Sequence, residues 1–156
     1  MMQTTRRDVL TLAAGTLLAP ALLRATPAFA ATPAIYAEGG IAIDGTDPVA
    51  YFTEGRPIPG NPAFTHEWSG ATWRFVTGPN RDSFAANPQT YAPAFGGYCA
   101  WAVAQGYTAP TAPEAWSIYR GTLYLNYSRR IRRRWERDIP GNVAKGRANW
   151  PAVLGA

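Results

Sequence analysis

The sequence predicts an α+β fold: a small antiparallel sheet built from hairpins, with short helices and a C-terminal helical extension. Three observations point there. Two stretches alternate apolar and polar residues about a two-residue turn, "AFTHEW-SG-ATWRFV" and "AWSIY-RG-TLYLNY". Between and around them lie segments with helix-start signals. The last 29 residues contain two runs that read as helices.

Taken in order, residues 31–40 read as an irregular lead-in. "DGTDPVAYF" offers Asp47 as an N-cap and Pro48 at the first helical position, predicting a short helix from Pro48 to about Phe52. "TEGRPIPGNP" is a loop, punctuated by glycine and proline. In the first hairpin Phe64, His66 and Trp68 share one face, and Thr65 and Glu67 the other. "PNRDSFAANPQTYAP" reads as a helix capped at Asn80, broken at Asn87-Pro88 and resumed for about one turn. In the second hairpin Leu123, Leu125 and Tyr127 fall on one face. A helix capped by Ser128 ends near Pro140, and another runs from about Gly141 to Trp150. No repeat or low-complexity linker interrupts this pattern, so residues 31–156 are expected to form one domain.

The first thirty residues read differently. Arg6 and Arg7 precede an apolar stretch from Val9 to Leu23, and Ala28-Phe29-Ala30 is a small-x-small cleavage pattern. Thr5-Arg6-Arg7-Asp8-Val9-Leu10 resembles a twin-arginine export signal. Gly15, Thr16 and Pro20 interrupt the stretch, which falls short of the ~20 residues of a spanning helix. The expectation is a periplasmic protein, cleaved after Ala30, with no transmembrane segment in its mature form.

The mature chain would carry a net charge of +3, unevenly spread. Residues 31–127 hold four basic and seven acidic side chains, residues 128–156 eight and two. Such polarity suits an anionic surface, a protein partner or head-to-tail self-association, whereas nucleic acid is not expected outside the cytoplasm. The basic end is concentrated in "SRRIRRRWERD", the Arg129–Arg137 helix, where only Ile131 and Trp135 form an apolar stripe. The arginines are expected mostly in solvent, with Glu136 and Asp138 in local ion pairs; docking on anionic headgroups or an acidic partner is the functional alternative.

Cys99 is the only cysteine and His66 the only histidine. Each has an ordinary reading, a cysteine packed as a small hydrophobe and a buried histidine on an aromatic face. Against it stands the exported setting, in which an unpaired thiol is unusual. Gly96-Gly97 would let the backbone approach another element closely and place Cys99 at a tight turn. The Cys99 sulfur and a His66 imidazole nitrogen are expected within about 6 Å, where they could share a soft ion such as copper(I), or His66 could activate the thiol as a nucleophile or redox group. The latter needs Asp44 or Asp47 to orient the imidazole. No phosphate loop, serine-nucleophile elbow or paired-carboxylate spacing is present, so an enzyme is not favoured.

"DPVAYF", the hairpin ending "WRF" and "NRDSFAANPQTYAP" together resemble the YHS domain over about residues 44–99. "GGYCAWAV", "LYLNYS", "RWERDIPGN" and "ANWPAVL" are similar to the C-terminal extension of exported bacterial YHS proteins. The resemblance implies a metal-associated module related to small treble-clef-like domains. The family's usual cysteines are replaced here: Ala50 follows Asp-Pro-Val, and Val76, Thr77 and Asn80 follow the aromatic strand. One cysteine and one histidine cannot close a structural zinc site. The expectation is therefore a periplasmic metal-associated binding protein, with Cys99 and His66 as ligands and copper as the ion. A non-catalytic structural or interaction module and a thiol-redox accessory protein are the alternatives.

Overall fold

A computed structural model describes residues 31–155, and the expected leader, residues 1–30, lies outside them. The fold is α+β. Strands β1 (Ala37–Glu38), β2 (Ile41–Ala42), β3 (Asn61–Trp68) and β4 (Ala71–Phe75) form one sheet in the order β1-β2-β4-β3. A separate hairpin pairs β5 (Trp116–Tyr119) with β6 (Thr122–Leu125). The helices are α1 (Ala50–Thr53), α2 (Gly78–Ala86), α3 (Pro88–Tyr91), α4 (Ala100–Ala104), α5 (Arg129–Trp135) and α6 (Ile139–Asn149). Among the described residues no helix is long and apolar enough to cross a membrane.

Both predicted hairpins form around the expected turns. Ser69 and Gly70, like Arg120 and Gly121, take positive φ at both central positions, which matches the right-handed twist of the flanking strands. The burial of β3 alternates as predicted, with Phe64, His66 and Trp68 half-buried and Thr65 and Glu67 exposed. His66 pairs with Trp73 across the sheet and meets the Phe84 ring edge-on at 6.1 Å between centroids.

Several expectations are corrected. The lead-in is not wholly irregular: β1 and β2 turn over Gly39-Gly40, and Ile41 pairs in parallel with Thr72, making the sheet mixed rather than antiparallel. Two-residue strands have no periodicity to read. Thr77, not Asn80, caps α2, its hydroxyl accepting the Asn80 N–H at 3.2 Å. In the second hairpin Leu123, Tyr124 and Leu125 are all buried, whereas Tyr127 lies beyond the strand and is 58% exposed. The hairpin packs on both faces, so the alternation that would mark a solvated side is lost.

Ser128 caps α5 through the Ile131 N–H, and Trp135 is completely buried, as the one-stripe pattern requires. A 3-10 turn over Glu136–Asp138 connects α5 to α6, and Asp138 caps α6 by accepting the Gly141 N–H. The second helix therefore starts at Ile139 rather than Gly141. Arg129, Arg130, Arg133, Arg134 and Arg137 are exposed, while Arg132 is half-buried and pairs with Glu136 at 2.8 Å.

One buried carboxylate organises the first half of the chain. Asp47 is inaccessible to solvent, and its Oδ1 accepts the N–H groups of Val49 and Ala50. Its Oδ2 accepts the Val76 N–H at 2.8 Å and the Asn80 amide at 2.7 Å. The residue expected to cap α1 thus also ties the end of β4 to α2. With all four donors in place, the cost of burying its charge is offset.

Candidate functional site

Cys99 sits where the chain leaves a left-handed turn and enters α4. Phe95, Gly96 and Gly97 all have positive φ. A side chain at Gly96 would collide with the Ala34 carbonyl, and Tyr36, two residues on, donates its N–H to Gly96 O at 2.9 Å. This is the close approach that the glycine pair predicts. The Cys99 N–H is held by Ala109 O at 3.0 Å, so the segment 107–110 folds back over the start of α4.

The thiol is 1% exposed and bonded on two sides. Sγ accepts the Tyr127 N–H at 3.3 Å and donates to Asn126 Oδ1 at 3.7 Å. Asn126 Oδ1 also accepts the Trp101 N–H, capping α4 from a distant part of the chain. Burial pushes the Cys99 thiol up from its ordinary pKa, and the neighbouring Ala102, Tyr127 and Trp101 N–H groups only partly counter this. At neutral pH the thiol is protonated.

Above this thiol opens a cleft of about 310 Å³ lined by Cys99, Trp101, Ala102, Tyr107, Ala109, Tyr127, Ile131 and Arg134. Tyr107 and Tyr127 are 52% and 58% exposed and stand at its rim. The Arg134 guanidinium lies over the Trp101 ring, 5.5 Å from its centroid. A second cleft shares Trp101 and Arg134 and continues to Arg137, Asp138, Asn142 and Lys145. On another part of the surface, a cleft of about 330 Å³ lies between Trp68 and Trp150, lined otherwise by small apolar residues, Gln89 and Thr122. It offers no cation.

His66 belongs to different surroundings. It lies on β3, which packs on β4 and α2, whereas Cys99 opens α4, which packs on α5 and α6. Trp73 and Phe84, which pair with His66 and meet its ring, neither bond Cys99 nor line its cleft. Of the two acids considered as an orienting group, Asp47 is fully engaged with its four donors, and Asp44 accepts the Tyr36 hydroxyl at 3.0 Å.

The described residues offer no metal centre of three or more protein ligands. Among them, no three His, Cys, Asp or Glu side chains cluster closely enough to hold one ion. The only thiol is protonated and already shares its bonding directions with Asn126 and Tyr127.

Sequence reasoning missed most of the cleft. Tyr107 and Ala109 come from a loop with no motif, and the stacking of Arg134 on Trp101 depends on how α5 crosses α4. Asn126 carries the one legible signal, an amide at the end of an apolar strand. No family model, curated protein or solved structure matches this chain.

Proposed function

We propose that this is an exported, non-catalytic binding module on a YHS-like scaffold, whose ligand site is the cleft over Cys99. The observation that carries this reading is the cleft itself. An apolar floor and aromatic walls meet an exposed cation, and two of the three large hydrophobic side chains exposed among the described residues stand at its rim. Concave apolar surface with a few polar groups at its edge is what ligand recognition needs. Catalysis needs an activating base beside the nucleophile, and no such group bonds Cys99. Metal association, implied by the family resemblance, has no ligand set in support here.

A second reading, thiol chemistry at Cys99, is favoured by one observation. The Tyr127 N–H donates to the sulfur at 3.3 Å and would steady a thiolate once it formed. In that reading the cleft delivers the reaction partner.

Amide chemical-shift mapping of the purified protein against a library of small aromatic compounds tests the proposal. Shifts should concentrate on Ala102, Tyr107, Ala109, Tyr127 and Ile131. Shifts centred on the Trp68–Trp150 cleft, or on no surface, would overturn it. Copper(I) titration against a chelator discriminates further: a stoichiometric ion lost on Cys99→Ala would restore the metal reading.

A further inference from the structure

We infer that the cleft over Cys99 selects a small amphipathic anion, a flat apolar body carrying one carboxylate or sulfonate, with the body against Trp101, Tyr127 and Ile131 and the acid on Arg134. The inference rests on the cleft being the ligand site, as proposed above.

The floor selects against polar bodies. Cys99 Sγ has its hydrogen bonds inside the protein, and Ala102, Ala109 and Ile131 add only hydrocarbon, so the floor provides contact without hydrogen bonding. The walls suit a ring. Tyr107 and Tyr127 are large, stiff and mostly in solvent, so covering them removes apolar surface from water at small entropic cost.

The charge preference comes from Arg134. Stacking on Trp101 fixes the guanidinium at the rim while leaving its N–H edges free for an acceptor in its plane. The acids on the same helical segment are engaged elsewhere. Glu136 is held by Arg132 at 2.8 Å and by Ser117 at 2.7 Å, and Asp138 accepts the Gly141 N–H at 3.0 Å. Among the described residues Arg134 has no ion-pair partner. No acid lines the cleft, and beyond Trp101 the surface continues through Arg137 and Lys145, two cations against the single acid Asp138. The local potential is therefore positive: cationic ligands are repelled, and a neutral ring forgoes a charge-assisted bond. A volume of about 310 Å³ lies at the small end of ligand sites, which limits the body to a single or fused ring.

The test uses the purified protein and 8-anilinonaphthalene-1-sulfonate as a fluorescent probe, displaced by 3-phenylpropanoate or by its uncharged amide. Near-ultraviolet circular dichroism checks that each variant is folded. The acid should displace the probe at about tenfold lower concentration than the amide, the ratio expected for one charge-assisted hydrogen bond. Arg134→Gln should abolish that ratio by weakening the acid alone, and Tyr127→Ala should weaken both compounds. Arg120→Gln, which removes a cation stacked on Tyr119 instead, should change neither. Equal displacement by acid and amide, with both sensitive to Tyr127→Ala, would overturn the anion preference and leave the cleft as a ligand site. Probe binding that ignores Tyr127→Ala, or no binding at all, would overturn the ligand site and this inference together.

Discussion

The two halves of the molecule differ in what surrounds their buried polar groups. Around the four-stranded sheet, the buried Asp47 carboxylate is fully satisfied by four donors, and the His66 face is closed by Trp68, Trp73 and Phe84. Buried atoms without a hydrogen-bond partner among the described residues occur in both halves, Arg74 Nε on β4 and, in the C-terminal half, the Asn126 Nδ2 and the Trp135 indole N–H. There, too, a raised thiol lies beneath an open cleft with exposed tyrosines and an unpaired arginine. Unsatisfied atoms alone do not separate the halves; concave apolar surface with exposed aromatic side chains and a cation at its rim is where binding is expected. In the reading proposed above, the sheet half serves as scaffold and the α4–α5 region as the ligand site.

If this contrast is right, the largest stability losses come from the sheet half. Phe84→Ala should cost about 3–5 kcal/mol, because the ring is wholly buried against Trp68, Trp73 and Phe75. Asp47→Ala should cost about 3 kcal/mol, since it strands the N–H groups of Val49, Ala50 and Val76. Urea denaturation midpoints measure both, and neither variant, while folded, should change ligand affinity in the cleft. A loss of affinity in the folded Asp47 variant would break the division.

The same contrast explains what the sequence made legible. The hairpins, the Asp47 and Ser128 caps, the buried Trp135 and the tight turn before Cys99 follow from local rules: alternation, capping and glycine geometry. Their physics lies within a few neighbouring residues. The Cys99–Asn126 bond spans 27 positions, and Tyr107, Ile131 and Arg134 reach the cleft only through the crossing of α4 and α5. No local pattern encodes such meetings. The expectation that Cys99 and His66 meet rested on rarity, the exported setting and the hairpin facing, and none of these is a measure of distance.

Cys99→Ala should have a middling effect, about 1–2 kcal/mol, by leaving the Tyr127 N–H without its acceptor. It should also alter the alkaline limb of the stability profile. Because the folded pKa of Cys99 is raised, its contribution is fully present below the ordinary thiol pKa of about 8.5 and is lost as pH climbs through the folded value. Tyr36, Tyr51 and Tyr98 are raised as well, each chiefly by burial, and steepen the same limb at higher pH. Denaturation midpoints between neutral pH and pH 10 should fall less steeply in Cys99→Ala; an unchanged slope would mean the thiol is less buried than described.

Smaller effects should follow at the helix ends and on the surface. Ser128→Ala should cost about 1 kcal/mol in thermal unfolding through loss of the α5 cap. For Glu136, burial works to raise the pKa, but the bonds from Arg132 and Ser117 prevail and hold it below the usual carboxylate range. Its contribution is present above the ordinary glutamate pKa and is lost as pH falls through the depressed value, and Arg132→Gln should remove most of it. Anionic liposomes at low salt should retain the protein weakly if the exposed arginines of α5 also dock on a surface; free passage would confine recognition to the cleft.

The most direct measurement is the rate at which Cys99 reacts with iodoacetamide in the folded protein, with and without saturating 3-phenylpropanoate. A protonated thiol beneath a ligand cleft should react far more slowly than in urea, and more slowly again when the ligand is bound, while His66→Ala leaves both rates unchanged. A rate that the ligand does not alter, or that His66→Ala shifts, would contradict the separation of scaffold from site.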